Sequence, residues 1–144
     1  MKAIMYEGPR NLKVIEVPAL PMDENQIRVK SLYSGVSHGT EMHVYRGLAP
    51  FFRKKQDPQT RLFVDAKEDE LWEYPVRSCD PGVWYMGYAS VGRVVETGKN
   101  VKNVKVGDIV AIEAPHQEEN VVNAEKAVIL PKSISPEKGV LFTN

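Results

Sequence analysis

Hydrophobic and polar residues alternate with a period of two along much of this chain. Lys2 to Glu7 is short, apolar-rich and stops at Gly8-Pro9. Leu12 to Val17 alternates, with Leu12, Val14 and Glu16 opposing Lys13, Ile15 and Val17, and a breaker cluster of Pro18, Pro21 and Asp23 follows. In Ile27 to Tyr33, the residues Ile27, Val29, Ser31 and Tyr33 share one face and Arg28 and Lys30 the other. Met86 to Glu96, Ile109 to Ile112 and Val121 to Leu130 carry further strand character, separated by turns at Gly98-Lys99-Asn100 and Val106-Gly107-Asp108. Period two, β-branched residues and closely spaced turns predict a mainly β, antiparallel barrel or sandwich with short helices.

Three stretches depart from this pattern. Gly35 to Gly47 is polar and bounded by glycine, and Thr40 is placed to cap one or two helical turns starting at Glu41. A segment of that kind after an alternating strand reads as a functional loop. Residues 48–84 are irregular, with basic Arg53-Lys54-Lys55, a mainly acidic Asp65 to Glu73, and a short helix predicted around Ala66 to Trp72. They are either a solvated excursion or a lid over a substrate; Phe51, Phe52, Trp72, Tyr74, Trp84 and Tyr85 are many aromatics for a plain linker. Ser135-Pro136 opens a last helix, with Ser as N-cap, Pro at the first helical position and Glu137 in the first turn.

Composition narrows the setting. The 144 residues suit one domain with a real core. Nineteen basic against 19 acidic side chains leave no net charge, and hence no electrostatic case for nucleic acid or an anionic membrane as partner. No apolar run approaches a membrane span and the N-terminus has no signal-peptide core, so a cytoplasmic protein is expected. A single cysteine, Cys79, excludes an internal disulfide and a multi-cysteine zinc knuckle.

Several stretches, in order, resemble the N-terminal domain of the medium-chain dehydrogenase/reductase superfamily. They are the opening MKAIMYEGPRNLKVIEVP; Ile27 to Gly35 with Gly39-Thr40-Glu41-Met42-His43; Gly87 with Val91-Gly92-Arg93-Val94-Val95-Glu96-Thr97-Gly98; Val104 to Val110; and the closing LPKSISPEKGVLF. The second is similar to the family's G-[ST]-D-x-H loop, the third to its G-H-E-x-x-G-x-V-x-x-x-G stretch and the fourth to its V-G-D-x-V turn. The resemblance implies a GroES-like, partly open β-barrel, with residues 1–134 as the catalytic (substrate) domain, residues 48–84 as an irregular insertion, and residues 135–144 as the start of a linker helix to a Rossmann domain that this chain lacks. It also implies an NAD(P)-dependent oxidoreductase.

The zinc ligands of the family do not carry over. His38 stands where zinc-dependent members have a Cys, and Gly87 is followed by Tyr88 and Ala89 rather than by His and Glu. The four-cysteine lobe is replaced by Glu113-Ala114-Pro115-His116-Gln117-Glu118-Glu119. A catalytic zinc needs three protein ligands, and His38 and His43 do not supply them. The expectation is therefore an atypical branch without zinc, similar to bacteriochlorophyllide dehydrogenase-like sequences.

Within the resemblance, Thr40 and His43 match a hydroxyl and an imidazole that relay the proton accompanying hydride transfer. Thr40 is equally a helix N-cap, and His43 equally a surface histidine. Tyr88 and His38 are candidate hydrogen-bond donors in place of the metal, with space-filling and surface-loop roles as their alternatives. Glu41 is assigned a loop-ordering role, and His116 has no evident partner.

No G-x-G-x-x-G or other glycine-rich strand-to-helix turn is present to cradle a dinucleotide. The chain by itself is thus expected to be inactive and to bind neither NAD nor NADP. It would be the small-molecule substrate half of an alcohol, carbonyl or alkene oxidoreductase that needs its Rossmann domain in cis. A stand-alone, non-catalytic binding module on the same scaffold is the alternative. Any homo-oligomer would use the surface left for the missing domain.

Overall fold

The computed structural model describes residues 1–143. The first sheet starts with a hairpin, β1 (Lys2–Gly8) and β2 (Asn11–Glu16), in antiparallel register from Lys2↔Glu16 to Tyr6↔Leu12. β3 (Gln26–Ser34) follows, then helix α1 (Thr40–Tyr45). A two-stranded ribbon, β4 (Lys55–Gln56) with β5 (Phe63–Val64), precedes β6 (Val76–Arg77), which joins the free edge of β1. The second half supplies β7 (Ser90–Thr97), β8 (Ile109–Ile112), β9 (Glu119–Asn123) and β10 (Val128–Ile129), and ends in α2 (Pro136–Gly139).

The larger sheet runs β10-β8-β7-β3-β9 and the smaller β2-β1-β6. Both are open, and the isolated bridge Ala3↔Gln117 stitches them together. The mainly β, antiparallel character is the one the alternation predicts, and the sheets stay open, without closing into a barrel. β3 is the hub, pairing with β7 on one side and β9 on the other. Ile27 and Val29 point from it into a core with Val94, Val104, Val110, Ile112, Ala114 and Ala124.

Two details differ from the alternation read off the sequence. Tyr33 leaves the face of Ile27 and Val29 and is 44% exposed. The β3–β7 register shifts between Ser31 and Tyr33, and an extra residue in one strand reverses which side the following side chains take. In β2, both Leu12 and Val14 are exposed, because this edge strand covers nothing on that face.

The 48–84 segment builds a second core. The helix expected around 66–72 is reduced to one 3-10 turn, Glu68–Glu70. Phe51 stacks on Trp72 at 4.2 Å, Trp72 on Tyr85 at 3.8 Å, and Phe52 on Tyr74 at 4.7 Å between centroids. These rings pack against Tyr6, Val44, Ala49, Val76 and Met86, so the aromatics seat α1 on the smaller sheet. Tyr74 adds a polar anchor, its hydroxyl donating to the Val44 carbonyl at 2.6 Å. At the chain's end, Pro136 takes the first helical position as expected, but the Ser135 side chain makes no capping bond. Val140, beyond α2, packs on Val91, Ala111 and Leu130.

Gly92 marks the closest strand approach. A β-carbon there would lie 2.5 Å from Val29 Cγ1 and against the Lys30 carbonyl, both on the hub strand. Gly92→Ala should lower stability by about 1–3 kcal/mol. Gly8→Ala, where nothing lies within 4 Å of the added carbon, should be close to neutral. Urea unfolding of the two variants measures the difference, and equal midpoints would contradict this packing.

Candidate functional site

The loop after β3 and helix α1 carry most of the candidate residues. His38 lies exposed in the turn before the helix. Thr40 is the first helical residue rather than the cap; Gly39 occupies the cap position and has no side chain to offer. Thr40 and His43 are both exposed. The His43 Nδ1 lies 2.6 Å from the Gly39 carbonyl oxygen, which ties the ring to its own helix entrance as donor.

Tyr88 is half-buried on the segment that enters β7. That segment is bound to the loop directly, since the Gly35 N–H donates to the Ala89 carbonyl at 2.8 Å. Tyr88 also lines an open groove of about 680 Å³ together with Trp84, Cys79, Asp80, Glu113 and Asn120. His38, Thr40 and His43 do not line that groove, and among the described residues no hydrogen bond joins any of the four candidates to another.

The residues that are joined by hydrogen bonds are different ones. Glu41, in the first turn of α1, is only 1% exposed. Its Oε2 lies 2.8 Å from His116 Nε2, while its Oε1 has no hydrogen-bond partner among the described residues. The other ring nitrogen of His116, Nδ1, lies 2.9 Å from Ser34 Oγ at the end of β3. His116 therefore has two partners where the sequence shows none. Glu41 keeps its loop-ordering role and acquires a specific means: it fastens α1 to the loop after β8.

Gly87 makes room for that histidine. Its φ of +119° is a conformation that favours glycine, and a β-carbon there would come within 2.7 Å of the His116 nitrogen and 3.0 Å of the ring. The His116 N–H in turn donates to the Met86 carbonyl at 3.0 Å. Nothing in the local sequence announces this cluster, because Ser34, Glu41, Gly87 and His116 come from four separate segments. The one available signal is a histidine two residues beyond Ala114, at the end of the mostly buried stretch that starts at Val110.

Near the same helix, the Tyr6 phenol is pushed up to about 12, first by burial and then by the negative charge of Glu41. Burial also raises Tyr74 and Tyr85 in the aromatic core. Among the described residues, no group of three His, Cys, Asp or Glu side chains is placed to hold a metal ion.

No protein-family model matches the sequence. The chain is 25% identical over 124 residues to D-guloside 3-dehydrogenase of Escherichia coli, a match covering 86% of this chain and 34% of that protein. Among solved structures, 2R,3R-butanediol dehydrogenase from Bacillus subtilis aligns over 97% of this chain and 43% of its own, with a TM-score of 0.69 and 22% identity. Escherichia coli quinone oxidoreductase, complexed with NADPH, aligns over 97% of this chain and 36% of its own, with a TM-score of 0.63 and 22% identity. The curated relatives that the chain matches are dehydrogenases, and the fold is shared with the corresponding part of these alcohol and quinone oxidoreductase structures. The chain spans about a third of the length of the curated relatives it matches.

Two outcomes are expected from these contacts. His116→Ala strands the Glu41 carboxylate in the interior and should cost on the order of 3 kcal/mol, measured by chemical denaturation. A cost under about 0.5 kcal/mol, the level of an ordinary surface substitution, would contradict the contact. For Tyr6, an unfolded tyrosine titrates near 10.0 and the folded one near 12, so folding favours the neutral form. Its stabilising effect is complete below pH 10.0 and is lost as pH rises through about 12. Tyr6→Phe should flatten the decline of the melting temperature over that alkaline window; an unchanged slope would show that the phenol is not held neutral.

Proposed function

We propose that this chain is the substrate domain of an NAD(P)-dependent medium-chain oxidoreductase, acting on an alcohol, carbonyl or activated alkene. Residues 1–134 form the GroES-like domain, and the segment from Ser135 leads toward a nucleotide-binding domain supplied by the rest of a longer protein. The observation that carries this reading is the 124-residue match to a dehydrogenase, in a chain with the fold of dehydrogenase N-terminal domains. The names of the relatives favour a hydroxyl-bearing small molecule such as a glycoside or diol.

The residues present do not fit a resident zinc: His38 and His43 have no third donor, and Tyr88 stands where the resembled family has its next ligand. They do not fit the nicotinamide dinucleotide either. Its cradle is a glycine-rich turn within a parallel strand–helix–strand unit, and every strand pair described here is antiparallel. The chain's own part is to bind and orient the substrate and to move its proton. Thr40, with an exposed hydroxyl, and His43, held by Gly39, are our candidates for that transfer; Tyr88 and His38 are candidates for hydrogen bonds to the substrate oxygen.

Calorimetric titration of NADH and NADPH into the 144-residue chain should show no tight binding. Sub-micromolar affinity would overturn the division of labour proposed here. In a protein that also carries the nucleotide-binding domain, Thr40→Ala and His43→Ala should each reduce NAD(P)-linked turnover by about a hundredfold. Unchanged turnover would remove both residues from the mechanism.

A further inference from the structure

We propose that Ser34, His116 and Glu41 form a base-activated hydroxyl: a proton-transfer site, separate from Thr40 and His43, whose reactive end is Ser34 Oγ and whose ligand is a small molecule presenting a hydroxyl or carbonyl oxygen. The three groups make one continuous hydrogen-bonded line, Glu41 Oε2 to His116 Nε2 at 2.8 Å and His116 Nδ1 to Ser34 Oγ at 2.9 Å. The line runs from a carboxylate on a residue that is 1% exposed to the hydroxyl of an exposed residue.

The burial of Glu41 sets the direction of the protons. An ionised carboxylate in the interior needs a donor, and the His116 ring is the donor within reach, since Oε1 has no hydrogen-bond partner among the described residues. The Nε2 proton is therefore committed to Glu41. Nδ1 is left with its lone pair facing Ser34, so the serine O–H donates to it. A hydroxyl bonded to a ring nitrogen whose opposite N–H is held by a carboxylate is the arrangement that activates serine in hydrolases, here with the two ring nitrogens exchanged. The backbone that carries the ring is held by the His116 N–H bond to Met86, and the ring packs against Gly87, where a β-carbon would come within 3.0 Å of it.

When an oxygen-bearing ligand gives up its proton to Ser34 Oγ, the serine proton passes to His116 Nδ1, and the resulting imidazolium is stabilised by Glu41. The reverse sequence protonates a bound oxygen. Ser34 would be the catalytic residue, with His116 its base and Glu41 a positioning residue.

Two measurements on the 144-residue chain test this without any cofactor. Nitrogen-15 NMR of the histidine rings should give His116 a protonated Nε2 and an unprotonated Nδ1, with the Nδ1 signal moving in Ser34→Ala. A protonated Nδ1 in the neutral ring would overturn the proposal, because the serine would then be an acceptor. Diisopropyl fluorophosphate should label Ser34 at least tenfold faster than the other serines: the Oγ–P bond forms, fluoride leaves and the serine proton goes to His116. Glu41→Gln and His116→Gln should each slow labelling at least tenfold, and peptide mapping by mass spectrometry reads the site. Labelling at the background serine rate in the wild-type chain would overturn the proposal, since a merely structural trio would not raise reactivity. Both outcomes are independent of NAD(P)-linked activity, whose absence in the longer protein would instead count against the oxidoreductase reading.

Discussion

Glu41 sits in the interior with one oxygen bonded to His116 and the other without a hydrogen-bond partner among the described residues. A carboxylate so placed is tolerable only while that bond holds, because desolvating a charge costs several kcal/mol unless a partner restores it. The bond thereby imposes a requirement on three other parts of the chain. α1 must lie where its first turn faces inward, the loop after β8 must return to it, and the backbone at Gly87 must stay out of the way. The aromatic core meets the first requirement by packing on the same inward face of α1, through Val44, Tyr74 and Tyr6. The Met86 carbonyl meets the second by fixing the His116 backbone.

Local sequence carried the sheet well. Ile27 and Val29 alternate with Arg28 and Lys30, and the strand they predict is the hub of the larger sheet. Val106-Gly107-Asp108 and Ser135-Pro136 carry their own turn and helix-start chemistry, and both appear at those positions. The reading fails where tertiary pairing overrides period. A register shift against β7 turns Tyr33 outward, and no feature of residues 31–33 alone encodes it. β2 alternates as a half-buried strand does, yet its Leu12 and Val14 cover nothing, because burial depends on what lies above a face as well as on its pattern.

The site was legible in part, for the same reason. Gly39 to His43 is a compact motif, and the loop and short helix it suggests are present. The same motif suggests Thr40 as the cap, whereas Gly39 takes that position and Thr40 is the first helical residue. The Ser34–His116–Glu41 line could not be read at all. Its Glu41–His116 contact spans 75 residues of sequence, and a contact of that range exists only once both sheets are assembled.

The 48–84 segment shows how an irregular stretch can matter to chemistry without touching it. Read as sequence, Phe51, Phe52, Trp72, Tyr74, Trp84 and the adjoining Tyr85 suggest either a solvated excursion or a lid. Phe51, Phe52, Trp72, Tyr74 and Tyr85 stack on one another and on the cluster beneath α1 instead. Trp84 and Phe63 stay more exposed: Trp84 lies beside the groove and meets Tyr85 edge-on at 5.9 Å, and Phe63 meets Phe51 edge-on at 5.1 Å. Offset and edge contacts of this kind are directional, so they resist rotation of the helix they support. A small rotation of α1 would withdraw Glu41 from His116 and expose the full cost of its unpaired charge. The apolar cluster around Val44 and the polar bond of Glu41, one turn apart on the same buried face, therefore fix the same orientation. That double constraint is what allows a six-residue helix, too short to be stable alone, to hold its side chains in place.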